Sequence, residues 1–314
     1  MRVLVTGGAG FIGSHLVDDL VRSGHSVRVL DNFTHGTRVN LTSVLDDVEM
    51  MRGDIRSSLA VGRAATGCEV VFHQAALNSV GRSFEIADRT MQTNATGTLT
   101  LLRAAAKRDV RRVVFASSSS VYGAHPAAQR SEDRPTVPLS PYAASKLIGE
   151  GMCRTVSAET GLETVALRYF NVFGPRQLAI RRHPAAIPAF IECAVEGRAV
   201  TVFGRGYQRR DFTFVSDVVA ANRLAANAPG VAGSCLNVGT GRATQINHLV
   251  QLVGDAFGRQ LEIQYAAPRP ADVENSFADI SAAQTLLRYD PKVSLTDGLR
   301  RTVTPGLPVA VSER

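Results

Sequence analysis

Tyr142 and Lys146 stand four residues apart in Ser140-Pro141-Tyr142-Ala143-Ala144-Ser145-Lys146. Residues at that spacing share one face of a helix, and an ammonium beside a phenol favours the ionised phenol. A phenol titrates at about 10 when unperturbed, so the pair reads as a way to make a tyrosine base that works near neutrality. Alone, Tyr-x-x-x-Lys fits a solvated helix face just as well, and its meaning rests on its company. Upstream lies a serine-rich strand end, Ala116-Ser117-Ser118-Ser119-Ser120-Val121-Tyr122-Gly123.

Bringing a helix pair to a strand end takes alternating strands and helices, and the first half of the chain has that pattern. Short β-branched runs at 3–6, 27–30, 48–52, 70–73, 113–116 and 165–169 read as strands. Between them 12–23, 86–108 and 142–160 carry helical periodicity. Such alternation implies an α/β fold, a doubly wound parallel sheet with right-handed crossovers. Gly and Pro interrupt the second half more often, at Gly174-Pro175, Gly204, Gly206, Pro229-Gly230, Gly239 and Gly241, and helical stretches at 187–196, 218–228 and 246–257 connect short strands. Residues 171–314 read as a smaller α+β lobe with segments returning to the sheet, ending in a loose tail at 305–314.

The 314 residues, 45% hydrophobic and 20% charged, suit two lobes or one large α/β domain of an ordinary globular protein. No apolar run reaches the roughly eighteen residues of a membrane span. The N-terminus enters a strand at once, so no signal peptide is expected and the cytoplasm is the expected compartment. Four cysteines, Cys68, Cys153, Cys193 and Cys235, lie far apart with no Cys-x-x-Cys, which fits buried thiols and predicts no metal site. The net charge of +7 comes from scattered doublets such as Arg111-Arg112 and Arg209-Arg210. Without a basic tract it points to an anionic small molecule, and nucleic acid is not expected as a partner.

The strand at 3–6 runs into Gly7-Gly8-Ala9-Gly10-Phe11-Ile12-Gly13 and then an amphipathic helix. Gly7 and Gly10 let the backbone turn tightly and approach a pyrophosphate, Gly13 permits close helix-strand packing, and the helix N-terminus faces the anion. Asp31 ends the second strand, where a carboxylate hydrogen-bonds ribose hydroxyls and repels a 2′-phosphate. NAD is therefore expected over NADP, with Arg38 as the nearby residue that would suit NADP. Residues 1–170 read as a Rossmann-type dinucleotide-binding domain.

The glycine turn, Gly53-Asp54-Ile55, His73-Gln74-Ala75-Ala76, Asn94 within 93–98, and the Tyr142–Lys146 pair together resemble an extended short-chain dehydrogenase/reductase over nearly the whole chain. The segments 168–175, 209–217, 237–241 and 269–272 are similar to the nucleotide-sugar lobe of that superfamily. The resemblance implies cofactor contacts at Gly7, Gly10, Phe11, Ile12, Gly13, Asp31, Asn32, Asp54 (to adenine), Ile55, Gln74, Ala75, Ala76, Asn94, Ser117, Tyr142, Lys146 and Tyr169. It implies substrate contacts at Asn78, Ser79, Ser118, Ser119, Tyr142, Asn171, Gln177, Ala185, Arg210, Arg269, Asp272 and Ser276. Arg210 and Arg269 would meet the phosphates, where a guanidinium fork suits phosphate oxygens.

Within that superfamily the residues after Ser118 discriminate reactions. The 4,6-dehydratases carry an Asp-Glu acid-base pair there, because losing water across C5–C6 removes one proton and delivers another. Decarboxylating members carry Glu where Ser120 stands. This chain has Ser119-Ser120, which leaves reversible oxidation, the pattern of the nucleotide-sugar 4-epimerases. By resemblance, Tyr142 as phenolate takes the 4-hydroxyl proton with help from Ser118, and the C4 hydride passes to NAD⁺. Lys146 lowers the tyrosine pKa and binds the nicotinamide ribose. The 4-keto sugar turns about its link to the diphosphate before the hydride returns.

The sugar expected is a hexosamine. Ser276 falls where strict glucose/galactose epimerases resemble one another in carrying Tyr, and a small residue leaves room for an N-acetyl group. Asn78-Ser79, Ser119, Asn171, Gln177, Ala185 and Ser276 resemble the sugar-lining set of UDP-N-acetylglucosamine 4-epimerases, although Asn78 replaces a glycine and 178–183 departs from the usual polar stretch. UDP-glucuronate 4-epimerase is the alternative; Leu178 stands where such enzymes place an Arg, and without that cation a carboxylate is poorly met. Behind it come a 4,6-dehydratase and a non-catalytic NAD-binding regulator. A homodimer built on the helices at 86–108 and 142–160 is implied by the resemblance.

Overall fold

The computed structural model describes residues 1–124, 128–177, 185–268 and 273–303. The strands are β1 Arg2–Thr6, β2 Ser26–Asp31, β3 Val48–Arg52, β4 Val70–His73, β5 Arg112–Ser118, β6 Gln129–Arg130, β7 Glu163–Tyr169, β8 Val172–Phe173, β9 Val200–Phe203, β10 Arg209–Arg210, β11 Thr213–Phe214, β12 Ser234–Val238, β13 Thr244–Gln245, β14 Ile263–Ala266 and β15 Asn275–Ala278. The helices are α1 Phe11–Arg22, α2 Ser58–Ala65, α3 Val80–Glu85, α4 Ala87–Met91, α5 Gly97–Ala106, α6 Pro141–Thr160, α7 Ala186–Glu196, α8 Val215–Asn227, α9 Ile246–Ala256, α10 Ser281–Leu287 and α11 Leu295–Val303.

Seven parallel strands form the main sheet in the order β12-β7-β5-β4-β1-β2-β3. Its strands are apolar on both faces, as a sheet covered on both sides requires. Val3 and Val5 pack on one side with Leu16, Val17 and Leu20 of α1 and Val218 of α8. Leu4 points the other way, toward the layer of Val71, Leu101, Leu102 and Phe115. The chain winds outward from β1 to β3, then crosses back to β4 on the other side of β1. That reversal opens a crevice at the carboxyl ends of β1 and β4, where ligands of open α/β sheets bind.

The second half forms a third core around Phe173, Ile187, Phe190, Phe214 and Leu249, against which Phe11 and Ile12 at the start of α1 pack. It also carries a four-stranded sheet, β13-β10-β15-β6, whose last strand comes from the first half of the chain, and two strand pairs. The chain returns from this lobe to the main sheet twice, as α8 lying on β5 and β7, and as β12 pairing with β7.

The helix expected over 86–108 is divided. Ile86 (φ −128°, ψ 44°) separates α3 from α4, and a π-helical turn at Gln92–Thr96 separates α4 from α5. The wide turn carries Asn94, whose side chain accepts the Leu77 N–H at 2.8 Å and donates to the Leu77 carbonyl at 2.9 Å. A π-bulge at a functional position is a recurrent device. The expected tail at 305–314 lies outside the described residues. Among the described residues no helix is long and apolar enough to cross a membrane.

Candidate active site

Three successive turns of α6 face three successive residues of β5. Pro141 opens the helix, and Ser140 caps it by accepting the Ala143 N–H at 3.1 Å. Tyr142, 8% exposed, faces the Ser118 side chain, whose hydroxyl donates to the Ser120 hydroxyl at 3.1 Å. One turn later Lys146, 3% exposed, donates Nζ to the Ala116 carbonyl at 2.7 Å. Its Nζ sits 5.0 Å from the Phe115 ring centroid and 5.9 Å from that of Tyr142. One further turn along, the fully buried Glu150 accepts the Ser117 hydroxyl at 2.5 Å. Glu150 also takes a bidentate pair of hydrogen bonds from Arg168, at 2.9 and 2.8 Å. Arg168 stands beside Ser117 in the sheet and donates to the Tyr122 hydroxyl at 2.9 Å.

Water exclusion dominates the protonation of this group. Burial raises the Tyr142 phenol above its ordinary value, and the polar Ser118 side chain acts against it. Burial pulls Lys146 down to about 8, with the nearby Cys153 and Glu150 opposing. The lowering of the phenol expected from Lys146 is thus reversed in the protein on its own: the ammonium is directed at the Ala116 carbonyl, and desolvation outweighs its pull. His73 is held down at about 3, first by burial and then by Lys146. The Thr98 hydroxyl donates to the Asn94 carbonyl and so accepts from His73 Nε2, which leaves Nδ1 to accept from Thr6 at 2.7 Å.

The crevice at the switch point is shaped for a dinucleotide. Gly7 has φ +69°, and a Cβ there would lie 2.7 Å from the Ala75 backbone; a Cβ at Gly13 would lie 2.2 Å from the Gly7 carbonyl. Only glycine allows the first turn, the first helix and the loop after β4 to close on one another this tightly. Gly10 begins α1 without a side-chain cap, which suits an anion at that end. Asp31 is tied to the same turn by accepting the Ala9 N–H at 3.0 Å and the Phe33 N–H at 2.8 Å; burial raises its carboxyl. Arg38 lies over the Phe33 ring, 5.9 Å from its centroid. Asp54 is gripped by Arg56 and by Asn32 at 3.0 Å, and the Arg56 hydrogen bond holds it far below the usual carboxylate range.

Several residues expected at the cofactor hold other residues in place. The Ser117 hydroxyl is directed at Glu150 and the Asn94 amide at Leu77 and Ser145. Gln74 and Tyr169 bond to each other and to Asn222 of α8, at 3.0 to 3.1 Å, and burial pushes the Tyr169 phenol up to about 12. Among the residues expected at the sugar, Arg210 and Ser276 are register partners on β10 and β15. Asn171 adopts φ +29° and donates to the Asp211 carbonyl at 2.9 Å. Gln177 donates to the Val172 carbonyl at 3.0 Å, Ala185 precedes α7, and Ser79 caps α3. Asn78 is exposed next to it, and Ser119 opens the turn after Ser118. Arg269, Asp272 and the stretch 178–183 lie outside the described residues. Sequence reasoning missed Glu150, Tyr122 and Asn222; Glu150 repeats the four-residue spacing of Tyr142 and Lys146 and was open to detection.

A model of the NAD dependent epimerase/dehydratase family matches residues 3–239. The UDP-glucose 4-epimerase of Mycolicibacterium smegmatis is 39% identical over 307 residues, covering 96% of this chain and 97% of that one. The structure of UDP-N-acetylglucosamine 4-epimerase from Methanobrevibacter ruminantium in complex with UDP-N-acetylmuramic acid is similar with a TM-score of 0.92, at 35% identity and with 96% of each chain covered. That of UDP-glucose 4-epimerase from Thermotoga maritima with UDP-glucose is similar with a TM-score of 0.91, at 37% identity over 96% of this chain and 97% of that one.

Proposed function

The chain belongs to the NAD dependent epimerase/dehydratase family and is an NAD-dependent enzyme, and from that premise we propose that it interconverts UDP-sugars epimeric at C4, with UDP-GlcNAc and UDP-GalNAc the preferred pair and UDP-glucose and UDP-galactose also accepted. The observation that carries the reaction class is the placing of the Tyr142 phenol against the Ser118 side chain, beside a turn that begins Ser119-Ser120. Elimination of water needs a second acid-base group next to that phenol, and serines at 119 and 120 do not supply one.

Gly7, Gly10 and Gly13, Asp31 and Lys146 would hold the dinucleotide. It supplies, when bound, the hydride acceptor and the positive charge of an oxidised nicotinamide ring. Tyr142 takes the proton of the sugar 4-hydroxyl and later returns it, with the Ser118 hydroxyl orienting the phenol. Lys146, with Ala116 already accepting one of its three protons at 2.7 Å, has two left to donate toward the cleft. Arg210 anchors the diphosphate, away from C4, so the oxidised sugar turns over about that anchor and is reduced on its other face. Ser276, beside Arg210, leaves space for an N-acetyl group. We include a homodimer in the proposal.

Purified protein mixed in turn with UDP-GlcNAc, UDP-GalNAc, UDP-glucose and UDP-glucuronate, followed by proton NMR, tests this. The expected outcome is the C4 epimer of each N-acetylhexosamine. A 4-keto product shows dehydration instead, and turnover of UDP-glucuronate alone selects the alternative sugar.

A further inference from the structure

We propose that Glu150 is a positioning residue for the Tyr142–Lys146 pair: it fixes the serine-rich turn through Ser117 and Arg168, and its charge holds Lys146 as an ammonium. This rests on the reading of Tyr142 and Lys146 as the proton-transfer pair. Tyr142, Lys146 and Glu150 recur every four residues and meet Ser118, Ala116 and Ser117 of β5. Glu150 therefore grips the residue that precedes Ser118. Its partner Arg168 grips the other end of the Ser119–Tyr122 turn through the Tyr122 hydroxyl, which donates onward to Asn237 at 2.7 Å. A buried ion pair is seldom worth keeping for stability alone, whereas this one clamps both ends of the segment that carries the hydroxyl facing Tyr142.

The charge has a separate effect. Around Lys146, His73 on β4 is neutral. The thiols of Cys153 on α6 and Cys235 on β12 are raised by burial and stay protonated, as does the Tyr142 phenol. Arg168 on β7 adds a cation behind the Glu150 carboxylate. Among the described residues around Lys146, the opposing charge is thus that of Glu150, one helical turn away.

The chain has three lysines, Lys107, Lys146 and Lys292, so protein labelled with carbon-13 at lysine Cε gives three titration curves, and Lys146→Met assigns the one that matters. In Glu150→Gln, which keeps an acceptor for Ser117 but loses the charge, the Lys146 midpoint is expected to fall by about one pH unit or more, the scale of a unit charge one helical turn away. The alkaline limb of kcat/KM falls with it. In Arg168→Gln, which leaves the carboxylate uncompensated, both move up. Unchanged midpoints, or movement in the same direction in both variants, overturn the proposal. Where a single variant does not fold, the double variant Glu150→Gln/Arg168→Gln, which leaves no buried charge unpaired, is expected to retain a smaller downward shift; an unchanged midpoint there is equally fatal. The NMR titration needs no substrate, so a wild-type protein inert on every UDP-sugar refutes the proposed reaction while the role of Glu150 is still judged.

Discussion

In the protein on its own burial raises the Tyr142 phenol, so the phenolate that would take the sugar proton forms only where the cations of the loaded site, Lys146 and an oxidised nicotinamide, outweigh desolvation. Tyr142→Phe removes the group that exchanges the proton, and kcat is expected to fall by about 10²–10⁴ with the circular dichroism spectrum unchanged. Undiminished kcat would remove Tyr142 from the reaction. Lys146 has its pKa lowered from 10.5 to about 8, so its ammonium is present below that pH and lost as the pH rises through it. A pH profile of kcat/KM is therefore expected to decline on the alkaline side with a midpoint near 8. His73, at about 3, stays neutral and adds no limb in the neutral range. Ser276→Tyr fills the space assigned to the N-acetyl group and is expected to abolish turnover of UDP-GlcNAc while sparing UDP-glucose; retained UDP-GlcNAc epimerisation would refute that pocket. Asp31 is legible in the sequence because it ends the strand that follows the glycine turn, and Tyr142 and Lys146 because their four-residue spacing at the start of one helix shows without any tertiary contact. The Gln74–Tyr169–Asn222 triad is not, because its members are brought together only by folding and none has a neighbour in the chain that hints at the others.

At the scale of elements, the distance between α6 and β5 sets the chemistry. Gly149 lies between Lys146 and Glu150, and a Cβ there would stand 2.4 Å from the Phe115 ring that underlies Lys146. Gly149→Ala is expected to push the helix away, costing about 1–3 kcal/mol of stability. It is also expected to cost on the order of 10²-fold in kcat, as misplacement by about 1 Å does elsewhere; thermal melting and steady-state kinetics check the two losses. A variant that loses stability with kcat intact would show that the helix position is not critical. The span of α6 is plain in the sequence, since Pro141 opens it and Gly161, at φ +72°, closes it. The division of 86–108 is not plain, because a π turn has the same composition as the helix around it and is imposed by the reach of Asn94 to Leu77.

For the whole molecule, the two lobes are tied at the first helix. His15 Nε2 donates to the Pro175 carbonyl at 2.9 Å, and Asp18 pairs with Arg176 at 2.7 Å, just ahead of the segment leading to α7. Arg176→Ala is expected to raise KM for the UDP-sugar several-fold with kcat nearly unchanged, because it frees residues 175–177 from α1 without touching α6; an unaltered KM would show that this tie is dispensable. The parallel core of the fold is legible from strand-helix alternation, but the place of β12 is not, since nothing local says that residues after so long an excursion return to β7. That return dictates an order of events during synthesis. Until residue 238 has left the ribosome, β7 has no partner on its outer side and α8 has only just arrived to cover Leu167. From the emergence of residue 169 to that of residue 238, roughly the third quarter of synthesis, the nascent chain thus presents β7 as a bare apolar sheet edge, open to pairing with its neighbours on the same messenger.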